Sequence, residues 1–330
     1  MSLSPSFVGP QSKFSIDLGK FLSEVWQKKG TILDYGPIYD MYKGPGSAPR
    51  FDPSKLLDLK IFLGGLNILC KSEGKKVDIQ ELPVTFDTVI SLVVNGVGNK
   101  DQILKACGKN WTYDDLLADL WDEFYHVLSD SFAPEGVKKR VYIHVAAPLD
   151  LNTVRVMQVL VPRLDVDKGF QEVKTVGPGG TTQLDSIVAY CDDDDAVQKV
   201  LTALRDAGLQ CLKEGLPKIV QPVQGLQGVG VADEPPDVQI TGKFNKDAFK
   251  KGITNPEGHS FGTFLAKLTW MALEEPKKTN KANDFVENML LLFQICKIDP
   301  KQPHLHPQAQ DLQMLQAMWT SRVSKLPRYK

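Results

Sequence analysis

Arg140-Val-Tyr-Ile-His-Val145 is the stretch on which the reading of this chain turns. It is rich in β-branched and aromatic residues, and its apolar side chains alternate with polar ones, the period-two signature of a strand. Successive side chains of a strand point to opposite faces, so Arg140, Tyr142 and His144 share one face and Val141, Ile143 and Val145 the other. A permanent cation, a phenol and an imidazole in one row can hold an anion and move a proton. The same alternation is shown by any half-buried strand with a solvated polar face, so spacing alone leaves both readings open.

Working outward, Leu151 to Leu160 has helical spacing, Glu172 to Val176 and Asp185 to Tyr190 read as strands, and Ala196 to Cys211 reads as a helix. Strands interleaved with helices in this way predict an α+β fold, a sheet with helices on one face. Gly215 to Asp237 is rich in Gly, Pro, Val and Gln and reads as a long loop. Helices are expected again over Phe261 to Glu274, Ala282 to Cys296 and Gln308 to Val323.

Upstream the chain is mostly helical in pattern. Ile16 to Trp26 carries one apolar stripe, and Phe51 to Cys70 is opened by Asp52 as N-cap and Pro53 at the first position, with Gly64 and Gly65 as an interruption. Thr112 and Asp115 form a capping-box variant, and a helix with Leu116, Leu117, Leu120, Trp121, Phe124, Val127 and Leu128 on one stripe is predicted to follow. The Ala-Pro-Glu-Gly signal at 133–136 then separates a helical N-terminal lobe, residues 1–134, from an α+β core with C-terminal helices, residues 135–330.

Composition excludes several classes. With 330 residues, 42% hydrophobic and 24% charged content and a net charge of -1, the chain is an ordinary globular protein without a global field to recruit nucleic acid or a membrane surface. Cys70, Cys107, Cys191, Cys211 and Cys296 are odd in number and form no CxxC pair, which fits buried reduced thiols in a cytosol better than a disulfide framework. The first residues lack a secretory pattern, and no uninterrupted apolar run reaches the roughly 18 residues of a membrane span. A cytoplasmic location is expected, or export by a non-classical route, which leaves no trace of this kind.

Lys174 lies between Val173 and Val176, where desolvation would make its amine a usable base, although most strand lysines are solvated charges. Tyr190 could offer a phenol to a site or cap the core. The acidic run Asp192 to Asp195 precedes a helix and is read as its N-terminal cap rather than a metal site. His304 and His306 lack acidic or thiol partners nearby, so no metal is assigned. No P-loop, GxSxG, HExxH or dinucleotide fingerprint is present.

The order of segments adds a resemblance. Val141-Tyr-Ile-His-Val145, Val156-Met-Gln-Val-Leu-Val161, Val173-Lys-Thr-Val-Gly-Pro178, Asp185-Ser-Ile-Val-Ala-Tyr190, Gly228-Val-Gly-Val-Ala-Asp-Glu-Pro-Pro236 and Ser260-Phe-Gly262 together resemble the core of the HopA family of bacterial type III effectors. That family is similar to phosphothreonine lyases, and to lyase subunits that act beside a phosphotransferase in lanthipeptide and thioamitide biosynthesis. The resemblance implies elimination of phosphate from phosphoserine or phosphothreonine of a peptide or protein, leaving a dehydroamino acid, without metal or organic cofactor. It implies Lys174 as the base, Arg140 as a cation of the first strand and Tyr190 as a site tyrosine. The acid histidine of the lyases falls on Tyr142, with His144 two residues along as an alternative donor. Two phosphate-gripping arginines have no counterpart: Gln183 lies near one and Leu265 near the other, where Lys218, Lys243 or Lys267 could substitute. The expected partners are the phosphorylated peptide or protein and a phosphotransferase. The alternative is an effector-like module that grips a peptide or host protein without chemistry.

Overall fold

A computed structural model describes residues 7–8, 12–43, 51–79, 82, 84–99, 101, 104–105, 111–133, 136–180, 183–234 and 261–305. Among these, β1 (Val77–Asp78), β2 (Phe124–Leu128), β3 (Lys139–Ile143), β4 (Phe170–Val176), β5 (Ile187–Cys191), β6 (Gln221–Pro222) and β7 (Val229–Asp233) form one sheet in the order β1-β2-β4-β5-β3-β7-β6. The β1/β2, β2/β4, β4/β5 and β3/β5 pairs are antiparallel. The helices are α1 (Ile16–Gln27), α2 (Gly36–Lys43), α3 (Leu56–Ser72), α4 (Phe86–Val89), α5 (Tyr113–Asp122), α6 (Leu149–Leu160), α7 (Asp194–Ala207), α8 (Phe261–Thr279) and α9 (Ala282–Ile295). The α+β class read from the sequence is the class observed.

Two contact units divide the chain. One comprises Pro45–Leu216 and Pro222–Val231 and contains most of the sheet. Tyr125, Val127, Val173, Ile187, Ala189, Val141 and Ile143, which alternate along the four central strands, are buried in one core. The same core takes in Phe62, Leu63 and Leu66 of α3, Val156, Met157 and Leu160 of α6, and Val200, Leu201 and Leu204 of α7. Each such side chain contributes about 1.5–3 kcal/mol when fully buried. Asp52 accepts from the Ser54 amide at 2.9 Å and Pro53 opens a 3₁₀ turn, as its position predicts. Gly64 and Gly65 do not interrupt α3. A Cβ on Gly65 would stand 3.1 Å from Val154 of α6, a tight contact at which the valine side chain would have to shift by a few tenths of an ångström. Asp193 accepts from the Ala196 amide at 2.9 Å, and the acidic run caps α7.

The second unit comprises Met1–Gly44, Pro217–Gln221 and Ala232–Lys330. Its described part is built on α1, α2, α8 and α9, with Leu18, Phe21, Leu22, Phe285, Met289 and Phe293 buried. Trp26 stacks on Phe285 at 5.8 Å between ring centroids.

Two local readings are corrected. The capping box of Thr112 and Asp115 is present, but α5 stops at Asp122, and Phe124 to Leu128 is strand β2 instead of further helix. Phe124, Val127 and Leu128 fit either period, and pairing with β4 decides between them. The stretch from Gly215, expected as a loop, supplies β6 and β7. The helix expected over Gln308 to Val323 lies outside the described residues, as do Cys107, Lys243, Ser260 and His306.

Cys70, Cys191, Cys211 and Cys296 are free and buried. Burial pushes the Cys70 and Cys296 thiols up to about 12, so neither is a usable nucleophile. No helix among the described residues is long and apolar enough to cross a membrane.

Candidate functional site

The register of the central strands builds the site. Read across β2, β4, β5 and β3, one row is Leu128, Glu172, Tyr190 and Arg140, and the next is His126, Lys174, Val188 and Tyr142. These residues share the face opposite the apolar core, because every one is offset by a single position from a core residue. Adjacent strands lie about 4.8 Å apart, so the Lys174 and Tyr142 backbones are about 10 Å apart.

This face is not a solvated one. Arg140 is 8% exposed, Tyr142 3%, His126 6% and Glu172 7%, while Lys174 and Tyr190 are half-buried. Burial of polar and charged groups at this density costs stability unless each is matched. The Arg140 guanidinium lies 4.7 Å from the centre of the Tyr190 ring, directly across the β3/β5 pair. The Lys174 ammonium stands 3.9 Å from the centre of the Phe124 ring, a diagonal neighbour on β2. His126, opposite Lys174, leans the other way and donates from Nδ1 to the Glu172 carboxylate. Arg140, Tyr142, Lys174 and Tyr190 are thus brought onto one face.

His144 lies just past the end of β3. Its amide donates to the Gly228 carbonyl at 2.8 Å, its carbonyl accepts from the Lys213 amide at 3.0 Å, and its Nδ1 donates to the Glu214 carbonyl at 2.9 Å. Burial lowers its pKa below the ordinary histidine value, outweighing the hydrogen bond to Glu214, and holds it neutral. Gly228 has φ +66, and any side chain there would collide with the Lys213 carbonyl, so a glycine is required beside His144. Lys218 is in the other unit, where it pairs with Glu24 of α1.

Gln183 and Leu265, which the resemblance puts near the lyases' phosphate-gripping arginines, lie in different units. Gln183 is buried, and its side-chain oxygen has no hydrogen-bond partner among the described residues. Leu265 is a core residue of the second unit.

His126 and Glu172 were missed from the sequence. Glu172 has the same parity as Lys174 on its strand, which was a legible signal. His126 had none, because the segment that carries it was read as helix.

No protein-family model and no curated protein matches the sequence. Solved structures do. An effector protein from Pseudomonas syringae pv. tomato strain DC3000 superposes with a TM-score of 0.55 at 18% identity, over 87% of this chain and 96% of that one. What the two share is the fold. An effector protein from Pseudomonas syringae pv. syringae strain 61 superposes with a TM-score of 0.53 at 15% identity, over 88% of this chain and 97% of that one. The resemblance read from the order of sequence segments is met at the level of the fold, by two proteins described as effectors.

Proposed function

We propose that this effector-like protein is a carbon–oxygen lyase that removes phosphate from phosphoserine or phosphothreonine in a peptide or protein, leaving a dehydroamino acid. The observation that carries the reading is the convergence of Arg140, Lys174 and Tyr190 on one buried sheet face. Lys174 takes the α-proton, and Arg140 and Tyr190 hold the phosphate. The aromatic ring of Phe124 beneath the Lys174 ammonium keeps that side chain on the face. A phosphotransferase that makes the phosphopeptide is the matching partner, and the work is done in a cytoplasm, the protein's own or that of a recipient cell.

Incubating the protein with a panel of phosphothreonine and phosphoserine peptides and weighing the products tests this. Loss of phosphoric acid relative to the phosphopeptide is expected, and Lys174→Ala abolishes it. Unchanged mass across the panel overturns the lyase reading.

One observation favours a second reading. Gln183 and Leu265 supply no positive charge where the lyases have arginine, which suits a module that binds a peptide or host protein without chemistry. Peptide binding that survives Lys174→Ala, with no mass change in the wild type, would support this module.

A further inference from the structure

The family resemblance implies Tyr142 or His144 as the proton donor of the elimination. We infer that the donor is instead His126, with Glu172 as the positioning residue that holds its ring; the inference rests on the lyase reading above.

The argument starts from the register. His126 of β2 stands directly opposite Lys174 of β4, and directly opposed residues have Cβ atoms about 4.5–5.5 Å apart. An elimination needs its base and its acid at adjacent atoms of the substrate, Cα for the proton and the oxygen on Cβ for the leaving group. Neighbouring side chains on adjacent strands meet that need. Tyr142 is two strands further across the sheet from Lys174. His144 has its Nδ1 on the Glu214 carbonyl and is held neutral by burial, which makes it a poor acid.

The second element is the His126–Glu172 contact itself. A carboxylate on Nδ1 fixes the ring orientation and leaves Nε2 as the nitrogen turned away from Glu172. The base of Lys174 and the ring of His126 also diverge along their strands, one toward Phe124 and the other toward Glu172, so neither blocks the other. Two ionisable groups buried together on a sheet face are not needed for packing, since the apolar face already supplies the core.

The step balances as follows. Lys174, as the neutral amine, takes the Cα proton, and the C–H electron pair becomes the Cα=Cβ double bond. The Cβ–O bond breaks, its pair leaves on the phosphate oxygen, and His126 Nε2 gives that oxygen a proton. Lys174 ends as an ammonium and His126 as a neutral ring, and solvent returns one proton from the former to the latter.

Steady-state kinetics on a phosphothreonine peptide test the assignment, with circular dichroism and unfolding midpoints for each variant. In His126→Gln, kcat is expected to fall about 100-fold or more with KM little changed. Glu172→Gln should lose less, Glu172→Asp should recover part of that loss, and His144→Gln should lose less than His126→Gln. A purely structural role would instead lower the unfolding midpoint and show no recovery with Glu172→Asp. If the wild type is inactive on every peptide, the lyase reading falls and this inference with it. An active wild type with kcat of folded His126→Gln within about threefold overturns the inference alone. Should His126→Gln fail to fold, a kcat of Glu172→Gln equal to wild type overturns it.

Discussion

The two faces of the central strands are written in alternate residues of the same four segments, yet they obey different rules. On one face Tyr125, Val127, Val141, Ile143, Val173, Ile187 and Ala189 pack against α3, α6 and α7. On the other, Arg140, Tyr142, His126 and Glu172 are buried and Lys174 is half-buried, so polar and ionisable side chains stand where the first face has apolar ones. Burying apolar surface stabilises a fold without reference to position, whereas buried ionisable groups stabilise only in matched geometry. The difference teaches that the first face supplies the packing of the fold, while the second carries polar and ionisable groups that this packing does not call for.

Four substitutions sharpen or break that contrast. Phe62→Ala, which removes the ring packed edge-on against Tyr125 at 5.0 Å, is expected to cost about 3–5 kcal/mol of stability by urea unfolding. Arg140→Leu should leave stability within about 1.5 kcal/mol, since a hydrophobic replacement of a buried charge is often neutral, and should weaken phosphopeptide binding about 10- to 100-fold by calorimetry. Equal losses of stability from both would erase the distinction between the faces. Gly228→Ala forces an L side chain into the left-handed region beside His144 and should cost at least about 1–2 kcal/mol, read from the thermal midpoint.

Lys218→Ala has the smallest expected effect. The hydrogen bonds from Lys218 and Lys28 outweigh the burial that would raise Glu24, leaving its pKa below 4.5. A carboxylate with a depressed folded pKa adds stability above its unfolded value, and that stability is lost as pH falls through the folded value. Glu24 and Lys218 are each 35% exposed, so the contribution at pH 7 is screened to a few tenths of a kcal/mol. In Lys218→Ala the fall in stability below pH 4.5 should become shallower.

His144 gives the contrast a pH axis. Its folded pKa is lowered, so the folded state prefers the neutral ring. Stability is full above the ordinary value of 6.5 and is lost as pH falls below it. Unfolding midpoints measured at pH 7.5 and at pH about 5.5 should therefore diverge in the wild type and less in His144→Gln.

Local pattern determined much of this protein. The alternation from Arg140 to Ile143 marked the strand and its two faces, with His144 and Val145 falling past its end, while Asp52 and Pro53 marked the entry to α3, and Thr112 with Asp115 the start of α5. These signals are complete within a few residues, because a cap or a pleat is made by neighbours in the chain. Tertiary pairing decided the rest. Phe124 to Leu128 became β2, and Gly215 onward yielded β6 and β7, because hydrogen bonds to distant strands outweighed an ambiguous local period. The partnership of His126 with Glu172, 46 residues apart in the chain, followed from that same pairing. Register brings side chains together across strands, and register is a property of two segments at once.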